Sequence, residues 1–271
     1  MKKLILTILA SSFLLSCSTD SASDDSNNPT GNGLLLKTLT DDYGTTTLNY
    51  SGNKATYFSD SDGSTSNFTY NGDLIIRVEQ TGGSGSNFIN TYNYSNNLLT
   101  SSTENRNSTN SSSNYNSTYT YNSDGSITEI ITGTNTYNGN TTNSTEKNVL
   151  FYSQGNCVKV ENYTFFNGVY SLNETIIYTY DNKNSPFKNI TGLYNAYYPT
   201  GNINVNNCIS QINKNDSGEI TYTAQTAYQY NAQNFPISET TTETEYTFNP
   251  QTGTSTPGTP QSLSPIIYTY Y

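Results

Sequence analysis

The sequence predicts an all-β protein: an antiparallel meander of repeated hairpins forming one large twisted, curved sheet, open or partly closed. Three observations predict it. A short tyrosine pattern recurs along the chain, and apolar and polar residues alternate with period two between its recurrences. Beyond the first 16 residues, no ten-residue window carries the three-and-four apolar spacing of a helix. The abundance of Thr, Tyr, Asn and Gly points the same way, since these residues suit strands and turns better than helix interiors.

The chain opens on Lys2 and Lys3, followed by an apolar run from Leu4 to Leu15, Ser16 and Cys17. A basic start, a short hydrophobic stretch and a small residue before a cysteine make a secretory signal over residues 1–16. The run is too short for a spanning helix, which needs roughly 20 apolar residues. Leu14, Leu15, Ser16 and Cys17 resemble the lipobox of bacterial lipoproteins. That resemblance implies a diacylglycerol on the Cys17 thiol, cleavage before it and acylation of the new amino terminus. Two acyl chains suffice for stable anchoring, at about 0.8 kcal/mol per buried methylene. The membrane is therefore the first expected partner.

Residues 17–33 follow the lipidated cysteine as a tether of Ser, Asp, Asn, Thr and Gly, with too little apolar surface to fold. Asp20, Ser23, Asp24 and Asp25 lie close behind Cys17. They resemble the acidic signal that sends Bacteroidota lipoproteins to the cell surface, and they read equally as a solvated linker. Asp20-Ser21-Ala22 resembles an O-glycosylation site of that phylum, with Ser21 as the acceptor.

Residues 34–271 read as a single tyrosine-rich domain. The pattern is an aromatic or aliphatic residue, any residue, Tyr, then Asn, Ser or Asp and further turn formers. It occurs as Leu48-Asn49-Tyr50-Ser51-Gly52-Asn53, Phe68-Thr69-Tyr70-Asn71-Gly72-Asp73 and Tyr92-Asn93-Tyr94-Ser95-Asn96-Asn97. It returns around Tyr121, Tyr152, Tyr180 and Tyr230, and the final Tyr268-Thr269-Tyr270 has no turn after it. Each unit is one hairpin: a strand, a turn whose Gly or Asn tolerates positive φ, and a return strand such as Leu74–Val78. The interval from Tyr180 to Tyr230 is twice the usual one and leaves room for a further unit, for which Ile212 to Ile220 is the candidate. Thr100 to Thr118 and Asn249 to Ser262 read as long polar loops.

Composition narrows the function. The chain has 11 Lys and Arg against 21 Asp and Glu, a net charge of −10. Removal of Lys2 and Lys3 would make it −12. Such a surface disfavours nucleic acid as a partner. The 25 tyrosines supply a core that aliphatic residues alone would not fill, because each buries a large ring and keeps a hydroxyl to satisfy. With no His in the chain, a Ser-His-Asp, Cys-His or His-ligated zinc site has no base or ligand. Carboxylate pairs, drawn from Glu129, Glu161, Glu174, Asp181, Glu219, Glu239, Glu243 and Glu245, sit in no motif that predicts convergence. Asp60-Ser61-Asp62-Gly63 and Asn122-Ser123-Asp124-Gly125 lack the ligand spacing of calcium loops and read as turns. No catalytic residue, metal or cofactor is expected. Cys157 and Cys208 either form a disulfide, if the sheet curls enough to bring them within reach, or pack as thiols.

The repeats resemble the tyrosine-aspartate (YD, RHS-type) repeats of large secreted shells, in the loose form found in Bacteroidota lipoproteins of unknown function. Tyr178-Thr179-Tyr180-Asp181-Asn182-Lys183, Asn206-Asn207-Cys208 and Tyr228-Gln229-Tyr230-Asn231 resemble the C-terminal half of those lipoproteins. That resemblance implies no activity. The expectation is a membrane-anchored, surface-exposed, non-catalytic protein that binds or adheres to a glycan or a protein. Tyr92, Tyr119, Tyr178 and Tyr228, the alternates of the anchors, are the candidate stacking row. The alternatives are a structural or assembly subunit of an outer-membrane complex, joined by strand addition at a sheet edge, and a carboxylate-based glycan hydrolase.

Overall fold

The computed structural model describes residues 33–82, 87–249 and 251–271. Leu14, Leu15, Ser16, Cys17, Asp20, Ser21, Ser23, Asp24 and Asp25 lie outside the described residues. The strands are β1 (Leu36–Asp41), β2 (Gly44–Ser51), β3 (Lys54–Asp60), β4 (Thr65–Asn71), β5 (Leu74–Thr81) and β6 (Asn87–Ser95). Next come β7 (Leu98–Asn107), β8 (Ser111–Tyr121), β9 (Ile127–Tyr137), β10 (Asn140–Ser153), β11 (Asn156–Phe166) and β12 (Val169–Tyr180). One short helix, α1 (Leu193–Tyr197), precedes β13 (Cys208–Asn215), β14 (Ile220–Tyr230), β15 (Pro236–Asn249), β16 (Thr254–Pro257), β17 (Gln261–Ser262) and β18 (Ile266–Tyr270).

Every strand from β1 to β15 pairs antiparallel with the next in sequence, and β18 pairs with both β15 and β1. The meander therefore closes into a barrel of 16 strands. β16, β17 and β18 follow one another along the same side of β15, at Tyr246–Asn249, Thr242–Glu243 and Ser238–Glu239. Closure settles the choice the sequence left between an open and a closed sheet, and it leaves no continuous free edge.

The anchor tyrosines explain how it closes. All eight point inward at one end of the barrel. Tyr50 donates its hydroxyl to Leu36 O (2.7 Å), Tyr94 to Ile75 O (2.8 Å) and Tyr121 to Leu99 O (3.1 Å). Tyr180 donates to Cys157 O and Tyr270 to Pro236 O, both at 2.7 Å. In each case the acceptor is the residue paired with the anchor of the preceding hairpin: Leu36 with Tyr270, Ile75 with Tyr70, Leu99 with Tyr94, Cys157 with Tyr152, Pro236 with Tyr230. The carbonyl is accessible because the ladder shifts register beside these anchors, between Thr69 and Tyr70 or Phe151 and Tyr152 for example, as at a β-bulge. The repeat is thus a ring of stitches between neighbouring hairpins.

Tyr70, Tyr152 and Tyr230 turn instead to the segment 181–207, which joins β12 to β13. They bond Thr191 O, Tyr198 O and the Asp181 carboxylate. This segment fills the long interval between Tyr180 and Tyr230, so Ile212 to Ile220 is no further anchor unit but the turn at the opposite rim, between β13 and β14. The segment caps the barrel. It bonds the turns of separate hairpins through Thr191 N to Asn53 O (2.9 Å), Tyr194 Oη to Gly155 O (3.2 Å) and Asn184 N to Asn234 O (3.0 Å). Ile190, Leu193, Ala196 and Tyr197 are driven into one core with Leu36, Leu48, Ile75, Leu99 and Ile127. Gly192 makes the close approach possible: its φ is 78°, and a Cβ there would lie 2.5 Å from Asp73 O.

Thr100 to Thr118, expected as a loop, is mostly β7 and β8. Its Ser, Thr and Asn are strand residues here because neither face of the wall needs to be apolar at that height. Within Asn249 to Ser262, also expected as a loop, Thr254–Pro257 and Gln261–Ser262 form the short strands β16 and β17, with a turn at residues 251–253 before them.

Candidate functional site

Alternation along paired strands fixes which side chains face in. From the capped end upward, the inward positions of β9 are Ile127, Glu129, Ile131, Gly133 and Asn135; facing them on β10 are Leu150, Asn148, Glu146, Ser144 and Thr142. The apolar layer lies at the cap and gives way to amides, hydroxyls and carboxylates toward the rim. Tyr115 lies over Gly133, its ring 2.7 Å from where a Cβ would stand, and its hydroxyl reaches Asn135 Oδ1 at 2.7 Å.

The candidate stacking row is inside this wall, not on its surface. Tyr92 and Tyr119 are each 7% exposed. Tyr92 donates to Tyr197 Oη (2.9 Å) and Tyr228 to Cys208 O (3.1 Å). Burial pushes the phenols of Tyr92, Tyr119, Tyr178 and Tyr228 well above the ordinary range, so they stay protonated and structural. Burial likewise pushes Tyr121 and Tyr197 up to about 12.

Several of the carboxylates considered from sequence face inward, but each is held by its own neighbours. Glu129 accepts Asn148 Nδ2 at 2.9 Å, and burial raises its carboxyl above the usual range despite that bond. Glu174 accepts Asn213 Nδ2 (2.8 Å) and Asn162 Nδ2 (3.3 Å), and Glu239 accepts the Tyr268 hydroxyl (2.9 Å). Glu161 faces outward, Asp181 ties the cap to Tyr230 and Asn207, and Glu219 lies in a rim turn. Among the described residues, no group of three or more Cys, Asp and Glu is placed to hold a metal ion.

Cys157 and Cys208 are not joined. They sit on β11 and β13 with β12 between them, two strand spacings of about 4.8 Å apart and beyond the roughly 7 Å reach of a disulfide. Tyr180, paired with Cys208 and bonded to Cys157 O, occupies the space between. Burial pushes the Cys157 thiol up to about 12, which leaves it an inert packing group.

The outer wall is the surface that other molecules meet, and it is not uniform. Over most of the circumference its outward positions are Thr, Asn and Ser: Thr45, Thr47 and Asn49 on β2, Asn116, Thr118 and Thr120 on β8, Thr240, Thr242 and Thr244 on β15. A transmembrane barrel instead carries an apolar band about 25 Å tall between aromatic girdles. No helix among the described residues is long and apolar enough to cross a membrane. At the rim, a shallow depression of about 370 Å³ is lined by Asn107 to Ser112, Thr136, Asn138 and Gly139, a surface of amides and hydroxyls.

With sixteen strands closed in sequence order, the architecture can be compared. The chain is similar in fold to a porin-like protein from Bacteroides vulgatus. The TM-score is 0.55 at 13% identity, over 88% of this chain and 99% of that one. A porin-like protein from Bacteroides uniformis aligns over 88% of this chain and 95% of its own, with 15% identity and a TM-score of 0.48. No family model and no curated protein matches the chain. The likeness is one of fold.

The seam of tyrosines was visible from sequence, but its place inside the barrel was not. The capping segment went unseen as a unit, although the doubled anchor interval and the run of Ile190, Leu193, Tyr197 and Tyr198 were its signal. Also unseen was the outward face of β10 to β12, where aromatic residues occupy the parity opposite to the anchors.

Proposed function

We propose that this protein is a lipid-tethered, non-catalytic outer-membrane lipoprotein whose barrel stands in water beside the membrane and binds a hydroxylated ligand, a glycan or a glycosylated protein, at its rim. The observation that carries this reading is the outward Thr, Asn and Ser of the wall, which would leave hydroxyls and amides unsatisfied against lipid. A barrel with such a wall needs another attachment. Cys17 supplies it through the lipobox, and Leu34, two residues before β1, lies at the capped end, where Asn189 Nδ2 donates to its carbonyl at 2.8 Å. The acidic residues Asp20, Asp24 and Asp25 support surface exposure. The rim depression suits a polar, hydroxyl-rich ligand, which amides and hydroxyls recognise by hydrogen bonds. Kinship with the tyrosine-rich Bacteroidota lipoproteins belongs to the same reading. The assembly-subunit alternative loses its mechanism of strand addition, because the closed ring presents no long edge.

Protease treatment of intact cells, followed by fractionation, tests the reading. Wild type should be digested on intact cells and Cys17→Ser should leave the membrane fraction. Retention of Cys17→Ser in the membrane would remove the anchor, and protection of wild type until the outer membrane is broken would move the protein to the periplasmic face.

A further inference from the structure

One face of the outer wall departs from the Thr and Asn pattern. On β10 to β12 the outward positions include Phe151, Tyr163, Phe165, Tyr170 and Leu172. The face runs from Phe151, beside the anchor Tyr152 at the capped end, to Phe165 next to the β11–β12 turn at the rim, where the ring is 43% exposed. From Lys159 to Phe165 that is roughly 20 Å of strand. Phe165 and Tyr170 stack with ring centroids 4.8 Å apart.

The same face is basic in an acidic protein. Lys147 lies over the Tyr163 ring (3.8 Å) and within 5.1 Å of the Tyr170 ring, and Lys159 lies over Phe151 (3.7 Å). Lys214 follows on the outward side of β13. Glu161 is the acidic neighbour, bonded to Lys159 at 2.8 Å and to the Tyr163 hydroxyl. Aromatic rings flanked by lysines, with Phe165 at the exposed tip, match a membrane interface: Phe enters the acyl boundary, Tyr sits at headgroup depth, and Lys lays its stem on the rings and its ammonium on phosphate.

We propose that this face of β10 to β12 docks against the anionic lipid surface to which the chain is tethered, so that the barrel lies along the membrane. The inference rests on the lipid-anchor reading for the identity of that surface. The tether's 16 residues reach about 55 Å when extended, and the β11 wall is six strand steps, about 29 Å, from β1 where the tether ends. Confinement by the tether makes a weak surface contact sufficient.

The absence of Trp from the chain supplies the test. Phe165→Trp places a single indole at the tip of the face, and Thr118→Trp places one on the polar wall of β8 as the control. Both are exposed positions, so folding is preserved. Each protein is purified with its lipid and reconstituted into vesicles of phosphatidylglycerol and phosphatidylethanolamine. The Phe165→Trp emission should shift to the blue and be quenched by acrylamide at least about three-fold less than Thr118→Trp. Adding Lys147→Ala and Lys159→Ala should weaken the docking equilibrium about five-fold each. Equal, water-like quenching of both reporters in vesicle-bound protein overturns the docking face and leaves the anchor standing. A blue shift given by a soluble anionic polysaccharide and not by vesicles overturns it as well. The readout is local to one side chain, whereas Cys17→Ser fractionation reports on the anchor alone.

Discussion

The two ends of the barrel are built on the same strands with the same alternation, yet they are held in different ways. At the capped end the inward positions are Leu48, Ile75, Leu99, Ile127 and Leu150, each no more than 2% exposed, stitched by tyrosine hydroxyls and closed by the segment 181–207. Toward the rim the inward positions become Ser113, Asn135, Ser144 and Glu245, and Tyr115 donates its hydroxyl to Asn135 Oδ1. Stability is therefore concentrated in one layer, while the rim is free to carry polar chemistry. A fold that buries its tyrosines at one end can spare the other for contact.

Raising the pH should break this contrast most completely. The cap phenols are acids whose native pKa lies above the ordinary value of 10.0, as for Tyr121 and Tyr197 at about 12. The folded state therefore holds its protons longer than the unfolded state, and stability is intact below about pH 10 and lost as the pH rises toward 12 and beyond. Circular dichroism and phenolate absorbance followed together should show cooperative unfolding in that range; phenolate forming gradually in a folded barrel would contradict it.

Leu48→Ala at the cap should cost about 2–5 kcal/mol in denaturant unfolding, since a fully buried leucine leaves a cavity. Tyr137→Phe at the rim, where the ring is 65% exposed, should change stability by less than about 0.5 kcal/mol. Equal costs at the two ends would dissolve the comparison. Gly192→Ala should lower stability by about 2 kcal/mol, because alanine resists a φ of 78° and its Cβ would press on Asp73 O. Protease sensitivity of the segment 181–207 should rise with it.

Two finer changes sharpen the account. Tyr94→Phe removes one stitch and leaves Ile75 O without it, for about 1 kcal/mol in chemical denaturation. Glu129→Gln should be stabilising at neutral pH. The raised native pKa of Glu129 means that stability falls as the pH climbs from the ordinary 4.5 through that raised value, and the glutamine is spared the fall. The advantage should vanish in acid, and a variant weaker than wild type at pH 7 would show that the charged form is the one the site favours.

The seam shows how much a sequence can carry. Tyr50, Tyr70, Tyr94, Tyr121, Tyr152, Tyr180, Tyr230 and Tyr270 could be named, and their hairpins assigned, because a period-two strand and a positive-φ turn are local facts of the backbone. Thr100 to Thr118 reads as a loop for the complementary reason. Strand residues announce themselves by an apolar face, and here the inward side chains, Ser102, Glu104 and Arg106 on β7, are as polar as the outward ones.

By itself the sequence determined the class of fold, the positions of the eight tyrosine anchors, the absence of histidine chemistry and the lipobox pattern ahead of the barrel, since each is written in neighbouring residues. The tertiary structure alone decided that the meander closes, that Tyr92, Tyr119, Tyr178 and Tyr228 point inward and that Cys157 and Cys208 stay apart. It also decided that the interval after Tyr180 becomes a cap and that one stripe of the wall is aromatic and basic. Those outcomes depend on which strands meet around a ring, and closure is a property of sixteen strands together that no single hairpin encodes.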